Sequence, residues 1–600
     1  MMILYLFSII LFLSEVAETI DITSATQSSA FTASVTLSHG GSLRGLTTVF
    51  QSVPVDVFLG VRYAKPPIGE LRFKKPELVP SWKGVKNATK IGNKCPQLGP
   101  GGVEGSEDCL FMDITVPRQG PPGEKKAVMV WIHGGAFSFG AGSTFIGTPL
   151  AVMGDVVMVT FNYRIGMLGF LYDGPGTGNY GLWDQRVALV WVKQNIERFG
   201  GDPNRVTIFG QSAGGGSVSA QIVGQHSEGL FKRAITQSGT LYQLLPHMKS
   251  RIREMVESVK KQTSCTSAKV YECLTHMTPT QLLTTISLDP SQNFWHPVSD
   301  NDFFTTDVDE YSYKLGQRFE LMSGINEQDG GIILGTDTTP FAAALNMTLD
   351  NGISLKFARQ YLNNRCPTWF TPFSAELCTE FVVNTYGLDS TDDDKERLIR
   401  LVAFLNEAFF NADTLNQLEQ HSGGDKSTYA YYFTELLPSA QAFWKVPDWL
   451  KVAADHCDEL EFLFGGVYYK EENNSLWNSI MDADPLMKSL VVGSTGESDK
   501  PLIRKVMTMW TNFAKTGNPN KPVEISANDV EWPQFTTQTS SFLEINSQSI
   551  RVITAPNRER LHKLTTHLFS ARRRQFSVDI PAKQADNIKW KSKKMKHEEL

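Results

Sequence analysis

Short apolar runs rich in β-branched residues alternate with amphipathic stretches through the first half of the chain. Residues 127–132 (AVMVWI) and 156–161 (VVMVTF) are brief, continuous in their apolarity and bounded by glycine-rich turns, which predicts buried strands. Residues 184–199 (DQRVALVWVKQNIERF) place Val187, Val190 and Trp191 at helical spacing with charges on the other faces. Residues 205–209 (RVTIF) read as a further buried strand, and a helix is predicted from about residue 213. Strand, helix, strand implies a parallel sheet covered by helices, so the chain belongs to the α/β class. From about 340 to 430 helical patterns dominate, which predicts helical insertions over the sheet. No internal repeat and no long linker interrupts this order.

The two ends break the pattern. An apolar run from Ile3 to Leu13 is too short to span a bilayer and fits the core of a signal peptide, taken as residues 1–17 with cleavage near Ala17. No later run approaches the about 18 apolar residues of a membrane span, so the segment 18–570 is expected to be one soluble domain. Residues 571–600 hold nine Lys/Arg against four Asp/Glu with few apolar positions, and are expected to form a mobile basic tail. Hydrophobic residues at 41% leave ample material for a large core, and a net charge of −6 gives no reason to expect a nucleic-acid partner.

Several features suit a secretory route. Asn87, Asn346 and Asn473 head N-x-[ST] acceptors. The seven cysteines fall into close pairs, Cys95 with Cys109, Cys265 with Cys273 and Cys366 with Cys378, which read as disulfides closing local loops; Cys457 is left over. The chain closes on His597, Glu598, Glu599 and Leu600, similar to the K-D-E-L/H-D-E-L address read by a retrieval receptor. The expected location is therefore the endoplasmic reticulum lumen, with secretion as the alternative.

The candidate chemistry lies in 205–220 (RVTIFGQSAGGGSVSA). The glycines match neither a Walker loop nor a dinucleotide loop, and no lysine follows them. They do match G-x-S-x-G at Gly210, Ser212 and Gly214, with the serine on a turn between a predicted strand and a predicted helix. That is the setting of a nucleophile elbow, in which a strained serine needs small neighbours and a helix N-terminus faces developing negative charge. A nucleophilic serine also needs a base and an oxyanion hole. Residues 131–137 (WIHGGAF) end a predicted strand with small residues that could supply backbone N–H groups, while His133 has the bland reading of a packed core histidine. In this fold class the acid and then the histidine follow the serine along the chain. Spacing alone leaves His421 and His456 both open as the base.

Residues 178–215 (GNYGLWDQRVALVWVKQNIERFGGDPNRVTIFGQSAGG) closely resemble the signature of type B carboxylesterases, the family that includes cholinesterases and neuroligins. The blocks 58–73, 106–114, 130–140, 161–170, 296–304, 323–331, 455–465 and 510–520 resemble the family in the same order, over roughly residues 30–570. The resemblance implies an α/β-hydrolase fold and hydrolysis of carboxylic esters by a serine, with no cofactor or metal. It places Ser212 as nucleophile, Asp329 as acid with Glu327 as fallback, and His456 as base. It makes Gly135, Ala136 and Ala213 the oxyanion donors. It also implies disulfides Cys95–Cys109 and Cys265–Cys273 and an ion pair Arg72–Glu107; Cys366–Cys378 rests on spacing.

The chain departs from the family in four places. Gln211 stands where a glutamate usually precedes the serine, and Asp329 where glutamate is commoner. The loop between Cys95 and Cys109 has no tryptophan, the aromatic that in cholinesterases binds a quaternary ammonium. The expected substrate is thus an uncharged small-molecule ester. Cys457 replaces the commoner glycine after the histidine and reads as a small apolar filler. The alternative from another class is a catalytically silent adhesion or binding protein, as some members are; those replace the serine or histidine, whereas all three positions here hold competent residues.

Overall fold

The computed structural model describes residues 30–569 except 100, 146, 175, 242–244, 266–269, 287–294, 305–317, 371–373, 438–445, 473–475, 479–489 and 525–529. The signal segment, the basic tail with His597–Leu600, and Asn473 lie outside the described residues.

A twelve-stranded sheet organises the chain. Its strands are β1 (Ala30–Phe31), β2 (Leu46–Phe50), β3 (Val53–Arg62), β4 (Phe111–Pro117), β5 (Lys126–Ile132), β6 (Val157–Phe161), β7 (Gly201–Gln211), β8 (Arg233–Gln237), β9 (Glu320–Asn326), β10 (Thr428–Phe433), β11 (Ser541–Ile545) and β12 (Ile550–Thr554). The spatial order is β1-β2-β3-β4-β6-β5-β7-β8-β9-β10-β11-β12. From β6 through β11 every neighbouring pair is parallel, and antiparallel strands close both edges. The sheet is mostly parallel and carries the α/β-hydrolase architecture that the sequence implied.

Why these runs become central strands is visible in β5. Val128, Val130 and Ile132 pack into one core cluster, while Ala127, Met129 and Trp131 pack into another on the opposite face. A strand covered on both faces must be apolar at every position, as this run is. Trp131 is fully buried against Phe145, Phe209 and Phe464. The helix Tyr180–Asn195 crosses between β6 and β7 with Val187 and Trp191 buried and Val190 half-buried, close to the spacing-based expectation. A third cluster gathers the insertion helices Leu355–Trp369, Ala375–Tyr386, Asp394–Asn406 and Ala412–His421.

The three cysteine pairs are bonded as expected, and Cys457 is a buried free thiol. Arg72 and Glu107 form a nearly buried pair at 2.5 Å, and Arg72 also donates to the carbonyls of Leu274 and Met277 beside the Cys265–Cys273 loop. Asn87 and Asn346 are exposed. Among the described residues no helix is long and apolar enough to cross a membrane.

Candidate active site

The C-terminal ends of β7, β9 and the segment after residue 450 converge. Ser212 sits between β7 and the helix Ala213–Val223 with φ +58° and ψ −126°, a conformation that costs free energy for a residue with a Cβ. The turn is held by Ser212 N–H donating to Gln237 O at 2.8 Å and by Gly216 N–H donating to Ser212 O at 2.9 Å. Its tightness explains the flanking glycines. A Cβ on Gly214 would lie 2.1 Å from Ile132 O, and one on Gly210 would lie 2.5 Å from the same atom.

Asp329 follows β9 and is fully buried. Its Oδ2 accepts Asn326 N–H at 2.8 Å, and its Oδ1 lies 2.8 Å from His456 Nδ1. His456 is itself almost wholly buried, with its N–H donating to Asp455 Oδ1 at 2.7 Å. The loops bearing the two residues are stitched together: Gln328 N–H donates to Ala454 O at 2.7 Å, and Asn326 Nδ2 donates to Asp455 O at 2.7 Å. The Phe410 ring rests 4.9 Å from the imidazole. Phe410 belongs to a π-helical turn, Glu407–Asn411, whose preceding Asn406 accepts Gly330 N–H and donates to Glu327 O.

Beneath this pair lie further buried carboxyls. Glu459 accepts from Asn326 Nδ2 at 2.7 Å and from Gln237 Nε2 at 3.0 Å. Burial first, and then the neighbouring Asp329, push Glu459 up to about 7. Burial likewise lifts Asp455 to about 7, and burial with Asp455 lifts Asp458 well above the usual carboxylate range. A low-dielectric pocket crowded with acids favours their neutral forms.

The loop after β5 turns sharply, with positive φ at Gly135, Ala136 and Phe137. Among the described residues, the N–H groups of Gly135, Ala136 and Ala213 donate to no backbone or side-chain acceptor. Ala213 opens its helix, where such free N–H groups are normal and carry partial positive charge.

The residues that sequence left as alternatives fall elsewhere. His421 lies at the opposite, N-terminal ends of the strands, bonded to Thr428 Oγ1 at the start of β10 and to Phe319 O just before β9. Burial lowers its pKa to about 4. Glu327 is half-buried and raised by burial and by Glu544; it has no bond to either histidine. His133 stacks on Tyr163 at 4.4 Å, as a packed core histidine would. Sequence reasoning did not foresee that Gln211 Nε2 lies 3.1 Å from His456 Nε2, nor the bracing by Asn326, Asn406 and Phe410. For Gln211 the only signal was its departure from the family's glutamate.

A mostly parallel sheet with a strained serine at one strand end and a buried Asp–His pair facing that edge defines the class of α/β-hydrolases. The chain belongs to the carboxylesterase family, whose model matches residues 32–563. It is 32% identical over 547 residues to a bile salt-activated lipase from Bos taurus, covering 86% of this chain and 83% of that protein. It is 31% identical over 562 residues to a medium-chain fatty acyl-CoA hydrolase precursor from Anas platyrhynchos, covering 90% and 93%. The solved structure of a PNB esterase superposes with a TM-score of 0.67 at 27% identity, covering 88% of this chain and 99% of that one.

Proposed function

We propose that the protein is a serine esterase that cleaves uncharged carboxylic esters through an acyl-enzyme intermediate. The observation that carries this is Ser212 on its strained elbow at the sheet edge that also holds the buried His456–Asp329 pair. His456 Nε2 takes the proton of Ser212 Oγ as Oγ bonds to the ester carbonyl carbon. Asp329 keeps the remaining imidazole proton on Nδ1 and stabilises the ring when it becomes charged. The carbonyl oxygen, now an anion, is received by the N–H groups of Gly135, Ala136 and Ala213, each typically worth about 2.7–4 kcal/mol. His456 then gives its proton to the departing alcohol as the carbon–oxygen bond breaks. Water repeats the sequence on the acyl-serine and frees the acid. The absence of a carboxylate at position 211 and of a tryptophan in the Cys95–Cys109 loop favours uncharged substrates over cationic ones.

Two measurements test the reading. A fluorophosphonate probe is expected to label the wild-type protein at Ser212, and Ser212→Ala is expected to abolish both labelling and hydrolysis of p-nitrophenyl butyrate. Activity in the alanine variant above a few per cent of wild type removes Ser212 from the mechanism. Nothing in the site favours the silent adhesion alternative, because no member of the constellation is replaced.

We also propose residence in the endoplasmic reticulum lumen, with glycans at the exposed Asn87 and Asn346. Three disulfides suit an oxidising compartment, and His597–Leu600 would engage a retrieval receptor.

A further inference from the structure

Gln211 ends β7 one residue before the nucleophile and is buried. Its side chain turns away from the strand and places Nε2 3.1 Å from His456 Nε2. The orientation is chemically determined. His456 Nδ1 donates its proton to Asp329 Oδ1 at 2.8 Å, so in the neutral ring Nε2 carries a lone pair. Only the NH₂ end of a carboxamide can pair with it. The amide oxygen lies against the loop that bears Gly135 and Ala136: a Cβ built on Gly134 would come within 3.3 Å of Gln211 Oε1. The carboxamide thus lies between that loop and His456.

We propose that Gln211 is a positioning residue for the base: its NH₂ group caps His456 Nε2 in the resting enzyme and is displaced by the Ser212 hydroxyl when substrate binds. This rests on the esterase reading above. The cap holds the imidazole in one tautomer and one rotamer, with Asp329 on one nitrogen and Gln211 on the other. A carboxylate cannot form this cap, because it accepts but never donates.

The other charged or titratable groups facing His456 are Asp329 at Nδ1, Asp455 immediately before it in the chain, and Glu459 from the helix that follows, all buried. They are the same in wild type and in Gln211→Met, which adds no charge, so a change in that variant's pH profile reports the cap.

The test is the pH dependence of kcat/KM for p-nitrophenyl butyrate from about pH 5 to 9, with active sites counted by fluorophosphonate titration. In Gln211→Glu, the new charge beside Nε2 is expected to move the acid limb up by about one pH unit or more. Gln211→Met keeps the length but neither donates nor accepts. It is expected to move the limb up by less, since only the bond to the neutral form is lost. A side chain that merely fills space would lower the amplitude and leave the limb in place. If the limb of Gln211→Met does not move, the cap does not exist. If Gln211→Glu fails to fold, Gln211→Met decides alone. Failure of the wild-type protein to take the probe or turn over ester is a separate result that overturns the esterase reading itself.

Discussion

Replacing Asp329 by asparagine keeps the shape of the side chain and removes one acceptor. Asp329 receives two N–H groups: Asn326 N–H at Oδ2 and His456 Nδ1–H at Oδ1, both at 2.8 Å. Asparagine has one oxygen and one NH₂ group, so one donor must lose its partner. The buried backbone N–H of Asn326 cannot turn away, and leaving it unpaired costs about 1–3 kcal/mol. The imidazole has an alternative, because it can shift its proton from Nδ1 to Nε2 and accept from the new NH₂. The oxygen therefore stays on Asn326, and His456 takes the tautomer that cannot deprotonate Ser212. A wrong tautomer in an otherwise intact triad lowers turnover by about 10⁴-fold, or about 5.4 kcal/mol of barrier. The assay is kcat on p-nitrophenyl butyrate with circular dichroism to confirm an unchanged fold, and Glu327→Gln as the control expected to be mild. An Asp329→Asn enzyme keeping more than about one tenth of wild-type kcat would refute the reasoning, as would a larger loss in the Glu327 control.

Two further outcomes are expected. The Asp455 carboxyl is raised by burial from about 4 to about 7, so the folded state penalises its charged form; stability from this group is full below the unfolded pKa and is lost as pH rises through 7. Asp455→Asn should therefore unfold at higher urea than wild type at about pH 8 and at the same urea near pH 4; equal gains at both would show that the group does not titrate this way. Deleting His597–Leu600 should send active esterase into the medium of expressing cells, and an intact chain secreted equally well would end the retrieval proposal.

The legible parts of the structure were those written in local pattern. Runs such as AVMVWI, apolar at every position, can only be strands buried on both faces, and β5 and β6 fall within one residue of expectation. The elbow was legible because Gly210 and Gly214 are demanded by close approach to Ile132 O. The antiparallel edge strands β2, β3 and β12 were not anticipated: Leu46–Phe50 is short and Ile550–Thr554 is largely exposed, so neither carries a long apolar run. The choice between His421 and His456 was beyond periodicity, since both are buried and both are bonded. It turns on which end of β10 each one faces, a property of the assembled sheet. The family resemblance supplied that answer; spacing did not. Phe410 escaped for a different reason, because a π-helical turn advances the side chains off the 3.6-residue register on which helical faces are read.

The bond between Asp329 and His456 closes a span of 127 residues, and that between Gln211 and His456 closes 245. On the proposed assignment of His456 as the base, no fragment ending before it can act on an ester, however well its first strands have formed. Contacts this distant in sequence are entropically expensive and form late. A chain emerging N-terminus first exposes its serine elbow long before the histidine that would activate it has been made. On that assignment the enzyme is born inert and becomes reactive only on completing its sheet. Esterase activity consequently doubles as a proofreading signal: a molecule that turns over substrate has already brought the far ends of its fold together.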